Sequence, residues 1–107
     1  MLRVVRCEMV TDFCPTQWKG ETDDGREVYA RFRHNHGYVM VAKKPGEKAL
    51  DGVSVIEWEG TSSNPFAGCL SYAGLRAVTE GMVEWPAPSG ETDAPAYVRD
   101  GSNTERC

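Results

Sequence analysis

With 107 residues and 40% hydrophobic side chains, the chain has material for one domain built around one core. It carries 16 acidic against 12 basic residues, a formal net charge of −4, which excludes it from the usual class of non-specific duplex DNA binders, whose affinity rests on neutralising phosphates. No stretch approaches the length of a membrane-spanning helix, and the N-terminal MLRVVRCEMV lacks the apolar run of a secretory signal, so no membrane partner is expected and the expected location is cytoplasmic.

The charge is uneven along the chain. Through residue 50 there are nine Lys and Arg against seven Asp and Glu, and after it three against nine. The first half is therefore mildly basic, and able to hold a phosphorylated ligand locally, while the second is acidic.

Residues 2–10 mix Val4, Val5, Cys7, Met9 and Val10 with Arg3, Arg6 and Glu8, a composition that suits a strand. Residues 12–15 break it. Two alternating runs follow and meet at Thr22-Asp23-Asp24-Gly25-Arg26, where Asp-Asp-Gly fits a type I turn closed by a left-handed glycine. That turn sets Thr22 against Arg26, Gly20 against Val28 and Trp18 against Ala30. A second turn is expected over His34-Asn35-His36-Gly37, pairing Arg33 with Tyr38, Phe32 with Val39 and Ala30 with Val41. A one-residue slip would set valines against arginines. The resulting meander sorts its side chains onto two faces. Trp18, Val28, Ala30, Phe32, Val39 and Val41 form a core face; Gln17, Lys19, Tyr29, Arg31, Arg33, Tyr38 and Met40 form an outer one.

After a turn at residues 43–47, residues 52–59 read as a further strand with Ile56 and Trp58 on one side. A loop spans 60–68. Ser71 is placed to cap a helix over 72–80 that stops at Gly81, with Tyr72, Leu75 and Val78 as its apolar stripe. Gly74 weakens this helix by about 1 kcal/mol relative to alanine, and so short a helix needs packing on the sheet to persist. Residues 82–86 close the sheet and Pro86 ends it. From residue 87 on, Tyr97 and Val98 are the only sizeable apolar side chains before the final cysteine, so the expected organisation is a single globular β domain over 1–86 and a disordered tail over 87–107. The fold class expected is mainly β (α+β), a small five-stranded antiparallel sheet or partly open barrel with one short helix.

Cys7, Cys14, Cys69 and Cys107 lack the close spacing of zinc ribbons and fingers and are read as reduced thiols. A zinc site combining Cys14 and Cys69 with His34 and His36 weighs less than buried cysteines and exposed loop histidines, and no metal or cofactor is expected. Phosphate-loop, G-x-G-x-x-G, G-x-S-x-G and H-E-x-x-H patterns are missing from the sequence. Nothing positions Cys14 against His34 or His36 as a thiolate pair, and the turn already accounts for Asp23 and Asp24. The expectation is a protein that is not an enzyme. Trp58 and Trp85 read as core residues whose indole N–H groups find internal acceptors.

The outer face carries the most pointed chemistry. Arg31 and Arg33 lie two apart on one strand with Lys19 beside them and Tyr29 and Tyr38 between and opposite. Guanidinium groups clamp phosphate oxygens and phenol rings stack on bases, the two needs of a nucleotide site.

The string Cys14-Pro15-Thr16-Gln17-Trp18-x-Gly20, then Thr22-Asp23-Asp24-Gly25-Arg26-x-Val28-Tyr29-x-Arg31-Phe32-Arg33, with Leu70-Ser71-Tyr72 and Gly81-x-Val83-Glu84-Trp85-Pro86, resembles small proteins carried by bacteriophages and prophages, a group without an assigned activity. The resemblance spans about residues 13–86; Gly74, where a glutamate is expected, and the His34–His36 loop depart from it. It implies a viral protein acting in the host cell cytosol and no particular mechanism. In that setting the residues lead to a non-enzymatic antagonist of bacterial immunity, a sponge that sequesters a phosphorylated or cyclic nucleotide signal. Lys19, Arg31 and Arg33 would hold phosphate, Tyr29 and Tyr38 would stack on a base, and a homo-oligomer would close the site from two copies. The alternatives are an inhibitor that grips a host defence protein through the acidic second half, by Glu57, Glu59 or Glu84, and a single-stranded nucleic-acid binder.

Overall fold

The computed structural model describes residues 1–12, 15–61, 63 and 68–99. Six strands, β1 (Leu2–Asp12), β2 (Thr16–Thr22), β3 (Glu27–Arg33), β4 (His36–Val41), β5 (Val53–Glu59) and β6 (Val83–Glu84), form one curled half-barrel sheet in the order β5-β4-β3-β2-β1-β6. The chain is mainly β, as expected, with six strands in place of five. β6 falls within the residues expected to close the sheet, but it runs parallel to β1, pairing Leu2 with Val83 and Arg3 with Glu84, so the sheet is mixed and not antiparallel throughout.

The Asp-Asp-Gly turn forms as its chemistry dictates. Gly25 has φ +84°, the Thr22 amide donates to the Arg26 carbonyl at 2.9 Å, and Trp18 stands opposite Ala30 and Gly20 opposite Val28. The second hairpin is tighter than expected. His34 and Asn35 both take left-handed conformations, φ 53° and 57°, and form a two-residue turn that pairs Arg33 with His36, Arg31 with Tyr38 and Ala30 with Val39. The expected register was therefore off by two residues. An even shift leaves every side chain on its assigned face, because side-chain direction alternates with period two.

Trp18, Val28, Ala30, Phe32, Val39 and Val41 are all buried. Apart from Phe32, they share one cluster with Val4, Cys7 and Met9 from β1, Val83 from β6 and, from beyond the sheet, Tyr72, Leu75 and Trp85. Gly20 belongs to this packing, since a Cβ there would run into the Arg6 carbonyl and stand 3.1 Å from Val4 Cγ1. The helix α1 (Tyr72–Val78) begins where Ser71 accepts a hydrogen bond from the Gly74 amide and buries Tyr72 and Leu75, while Val78 is left on the surface. Of the two indoles expected in the core, Trp85 is buried and its Nε1 donates to the Thr79 hydroxyl at 2.7 Å, whereas Trp58 is only partly buried and stacks on Phe32 with ring centroids 6.5 Å apart.

The disordered tail expected from residue 87 does not hold over residues 87–99. Two short helical turns, α2 (Gly90–Asp93) and α3 (Ala96–Arg99), follow Pro86, and Thr92 and Pro95 are fully buried. The reason lies in the core. Trp18 is 1% exposed, its indole N–H needs an acceptor, and the Thr92 carbonyl supplies one at 3.1 Å. Ser89 and Thr92 form a reciprocal capping box that starts α2 and holds this acceptor in place. Residues 100–107 of the expected tail lie outside the described residues.

Cysteine chemistry also departs from expectation. Cys69 is disulfide-bonded, to a partner outside the described residues, and is not a reduced thiol. Linear spacing hides this because the contact is made by the fold: the Gly68 carbonyl accepts from the Thr16 amide at 3.0 Å, and the Leu70 amide donates to the Thr16 hydroxyl at 3.1 Å, which brings Cys69 to the start of β2. Cys7 is a buried free thiol whose pKa is pushed up to about 12, chiefly by burial, with Glu8 adding to it. Cys14 and Cys107 lie outside the described residues.

Candidate functional site

The outer face is organised in three rows that cross the strands. The first runs Gln17, Arg31, Tyr38, Glu57 over β2 to β5; the second runs Arg33, His36, Glu59; the third runs Glu8, Lys19, Tyr29, Met40, Ser54. Alternation along β3 puts Tyr29, Arg31 and Arg33 on this side because Val28, Ala30 and Phe32 take the other.

The five residues expected to bind ligand separate into three settings. Arg31, Tyr38 and Tyr29 lie together: the tyrosine rings are tilted with centroids 6.1 Å apart, and Arg31 pairs with Tyr38 across the ladder. Tyr29, however, is only 8% exposed, and its hydroxyl donates to Gln17 Oε1 at 2.7 Å. Burial, with Tyr38 beside it, holds its phenol above the ordinary value against the opposing pull of Arg31. Tyr29 is thus a neutral buttress for Tyr38, and Tyr38 is the half-buried ring that faces outward. Arg33, exposed, lies one row further on. Lys19, at the opposite end, borders a cleft of about 560 Å³ whose other walls include Arg6 and the carboxylates Glu8, Glu21, Glu27, Glu47 and Glu91. Acidic walls of that kind repel phosphate, so Lys19 stands apart from the two arginines.

Three other arginines have carboxylate partners, while Arg76 has none among the described residues and lies over the Tyr72 ring. Arg3 meets Glu84 at 3.5 Å, Arg6 meets Glu21 at 2.6 Å and Arg26 meets Asp24 at 2.9 Å. Arg31 and Arg33 have no carboxylate partner among the described residues. Arg31 is the sharper case, because its Nε is shielded from solvent and has no hydrogen-bond partner among the described residues. A shielded donor without an acceptor costs about 1–3 kcal/mol, and more when charged.

Sequence reasoning missed a second group on the same face. His36 stands between two carboxylates of β5, with Nδ1 2.6 Å from Glu59 and Nε2 3.3 Å from Glu57. The hydrogen bond to Glu59 and then that to Glu57 raise the His36 pKa, with burial opposing them. The signal was present in the alternation of residues 53–59, which puts Glu57 and Glu59 opposite to Ile56 and Trp58; what sequence does not show is that β4 and β5 are neighbours. The same placement divides the acidic second half, with Glu57 and Glu59 near one edge of the sheet and Glu84 at the other edge on Arg3.

Among the described residues no three His, Cys, Asp or Glu side chains gather as metal ligands. His36 is committed to its carboxylates and the Cys69 sulfur to a disulfide, so the zinc set weighed from sequence is not assembled by the residues described. The thiolate pairing of Cys14 with a histidine falls outside them. No helix among the described residues is long and apolar enough to cross a membrane. No protein-family model matches the chain, and no curated protein or solved structure does either.

Proposed function

We propose that the protein is a non-enzymatic binder that holds a phosphorylated or cyclic nucleotide on the outer face of its meander. Arg31 and Arg33 take the phosphate and Tyr38 stacks against the base, with Tyr29 buttressing Tyr38 through ring contact. The observation that carries this reading is the placement of Arg31 and Arg33 two apart on one face of β3, beside Tyr38 and with no carboxylate partner for either among the described residues. An anionic ligand bridging the two guanidinium groups adds charge-assisted hydrogen bonds, which are about twice as strong as neutral ones.

Sequestering a nucleotide signal of bacterial immunity is the biological use we attach to this binding, from the resemblance to phage-carried proteins and by association alone. Docking on a basic host protein through the acidic second half is the less favoured reading, because Glu57, Glu59 and Glu84 do not form one patch. The test is thermal melting of the full chain against a panel of cyclic and linear nucleotides. At least one nucleotide raises the melting temperature of the natural chain, and Arg31→Ala loses that rise; a panel without any shift contradicts the proposal.

A further inference from the structure

We infer that the nucleotide is a guanine nucleotide, whose base edge is read by Glu57; this rests on the phosphate site proposed above. Arg31, Tyr38 and Glu57 occupy one row, on three adjacent strands. Neighbouring strands lie about 4.8 Å apart, so Arg31 and Glu57 are separated by about 10 Å across Tyr38. That is the scale of a mononucleotide measured from its phosphate to the far edge of its base. With phosphate on Arg31 and the base over Tyr38, the far edge arrives at the Glu57 carboxylate.

A carboxylate presents two acceptor oxygens side by side and can receive a bidentate pair of donors. Guanine offers such a pair, its N1–H and N2–H₂ groups lying next to each other on the Watson–Crick edge. Adenine and cytosine set their amino donor beside an acceptor nitrogen, and uracil flanks its N–H with two carbonyls, so each of them turns an acceptor toward an acceptor. Glu57 is free to make this contact. Only its Oε1 touches His36, at the longer of the two distances, 3.3 Å, and Glu59 holds the other imidazole nitrogen at 2.6 Å. Turning Glu57 to a ligand leaves His36 with a partner.

The experiment is calorimetric titration of the full chain with 5′-GMP, 5′-AMP, 5′-CMP and 5′-UMP, repeated with Glu57→Gln, a change at an exposed position on an edge strand. A bidentate pair discriminates strongly enough that 5′-GMP binds at least about 10-fold more tightly than the other three. Glu57→Gln lowers 5′-GMP to the level of 5′-AMP and leaves 5′-AMP unchanged. Equal affinities for the four or a preference for another base overturns the guanine assignment, and full guanine preference in Glu57→Gln overturns the role of Glu57; each leaves the phosphate site in place. Failure of every nucleotide to bind overturns both.

Discussion

His36 is the residue whose chemistry is most open to direct reading. Both of its ring nitrogens meet carboxylates, and its pKa is raised above the ordinary 6.5 by the Glu59 hydrogen bond first and the Glu57 one after it. A folded-state pKa above the unfolded one means that the charged imidazole favours the folded chain. That contribution is complete below the unfolded value near 6.5 and is lost as pH rises through the folded value. The expected outcome is an NMR titration of the His36 ring protons with a midpoint above 6.5, lowered more by Glu59→Gln than by Glu57→Gln. A midpoint unmoved by either substitution contradicts the assignment. Arg31 lies one row away, and its shielded Nε has no such partner among the described residues.

At the scale of elements, the meander was legible because alternation and turn chemistry agree. Asp-Asp-Gly dictates its own turn, and the apolar period of two assigns Trp18, Val28 and Phe32 inward without reference to any partner. The second turn was not legible to the residue, because histidine gives no clear signal for the left-handed conformation that His34 takes beside Asn35. Face assignment survived that error, and with it Arg31, Arg33 and Tyr38; the exposure of Tyr29 did not, since burial on an outer face depends on neighbours from other strands. Residues 87–99 were misread for a related reason. Their role is to give the Trp18 indole a backbone acceptor and to bury Thr92 and Pro95, and a count of large apolar side chains detects neither. A chain ended after residue 86 therefore loses about 2 to 4 kcal/mol of stability relative to one ended after residue 99, through an unpaired buried indole N–H and uncovered apolar surface. Denaturant unfolding of the two chains measures this, and equal midpoints contradict it.

For the whole molecule, the formal charge of −4 describes neither face of the sheet. Carboxylates neutralise Arg3, Arg6 and Arg26 around the periphery, and the acidic second half is divided between opposite edges. On the middle of the sheet Arg31 and Arg33 have no carboxylate partner among the described residues, with Tyr38 beside them and Glu57 across one more strand. The disulfide at Cys69 adds a constraint that composition alone did not reveal, because such bonds persist in oxidising surroundings and are rare in a reducing cytosol. Cys7, buried and with its pKa pushed up to about 12, takes no part in that chemistry.

The claim that the outer face is a phosphate site centred on Arg31 is tested most directly by mapping backbone amide and arginine Nε–H resonances of the full chain while titrating 5′-GMP. The account predicts that the largest shifts fall on the Arg31 Nε–H and on the amides of Arg31, Arg33 and Tyr38, and that they shrink as salt is added. Shifts centred on the acidic cleft beside Lys19, or no shifts on β3 and β4, would contradict it.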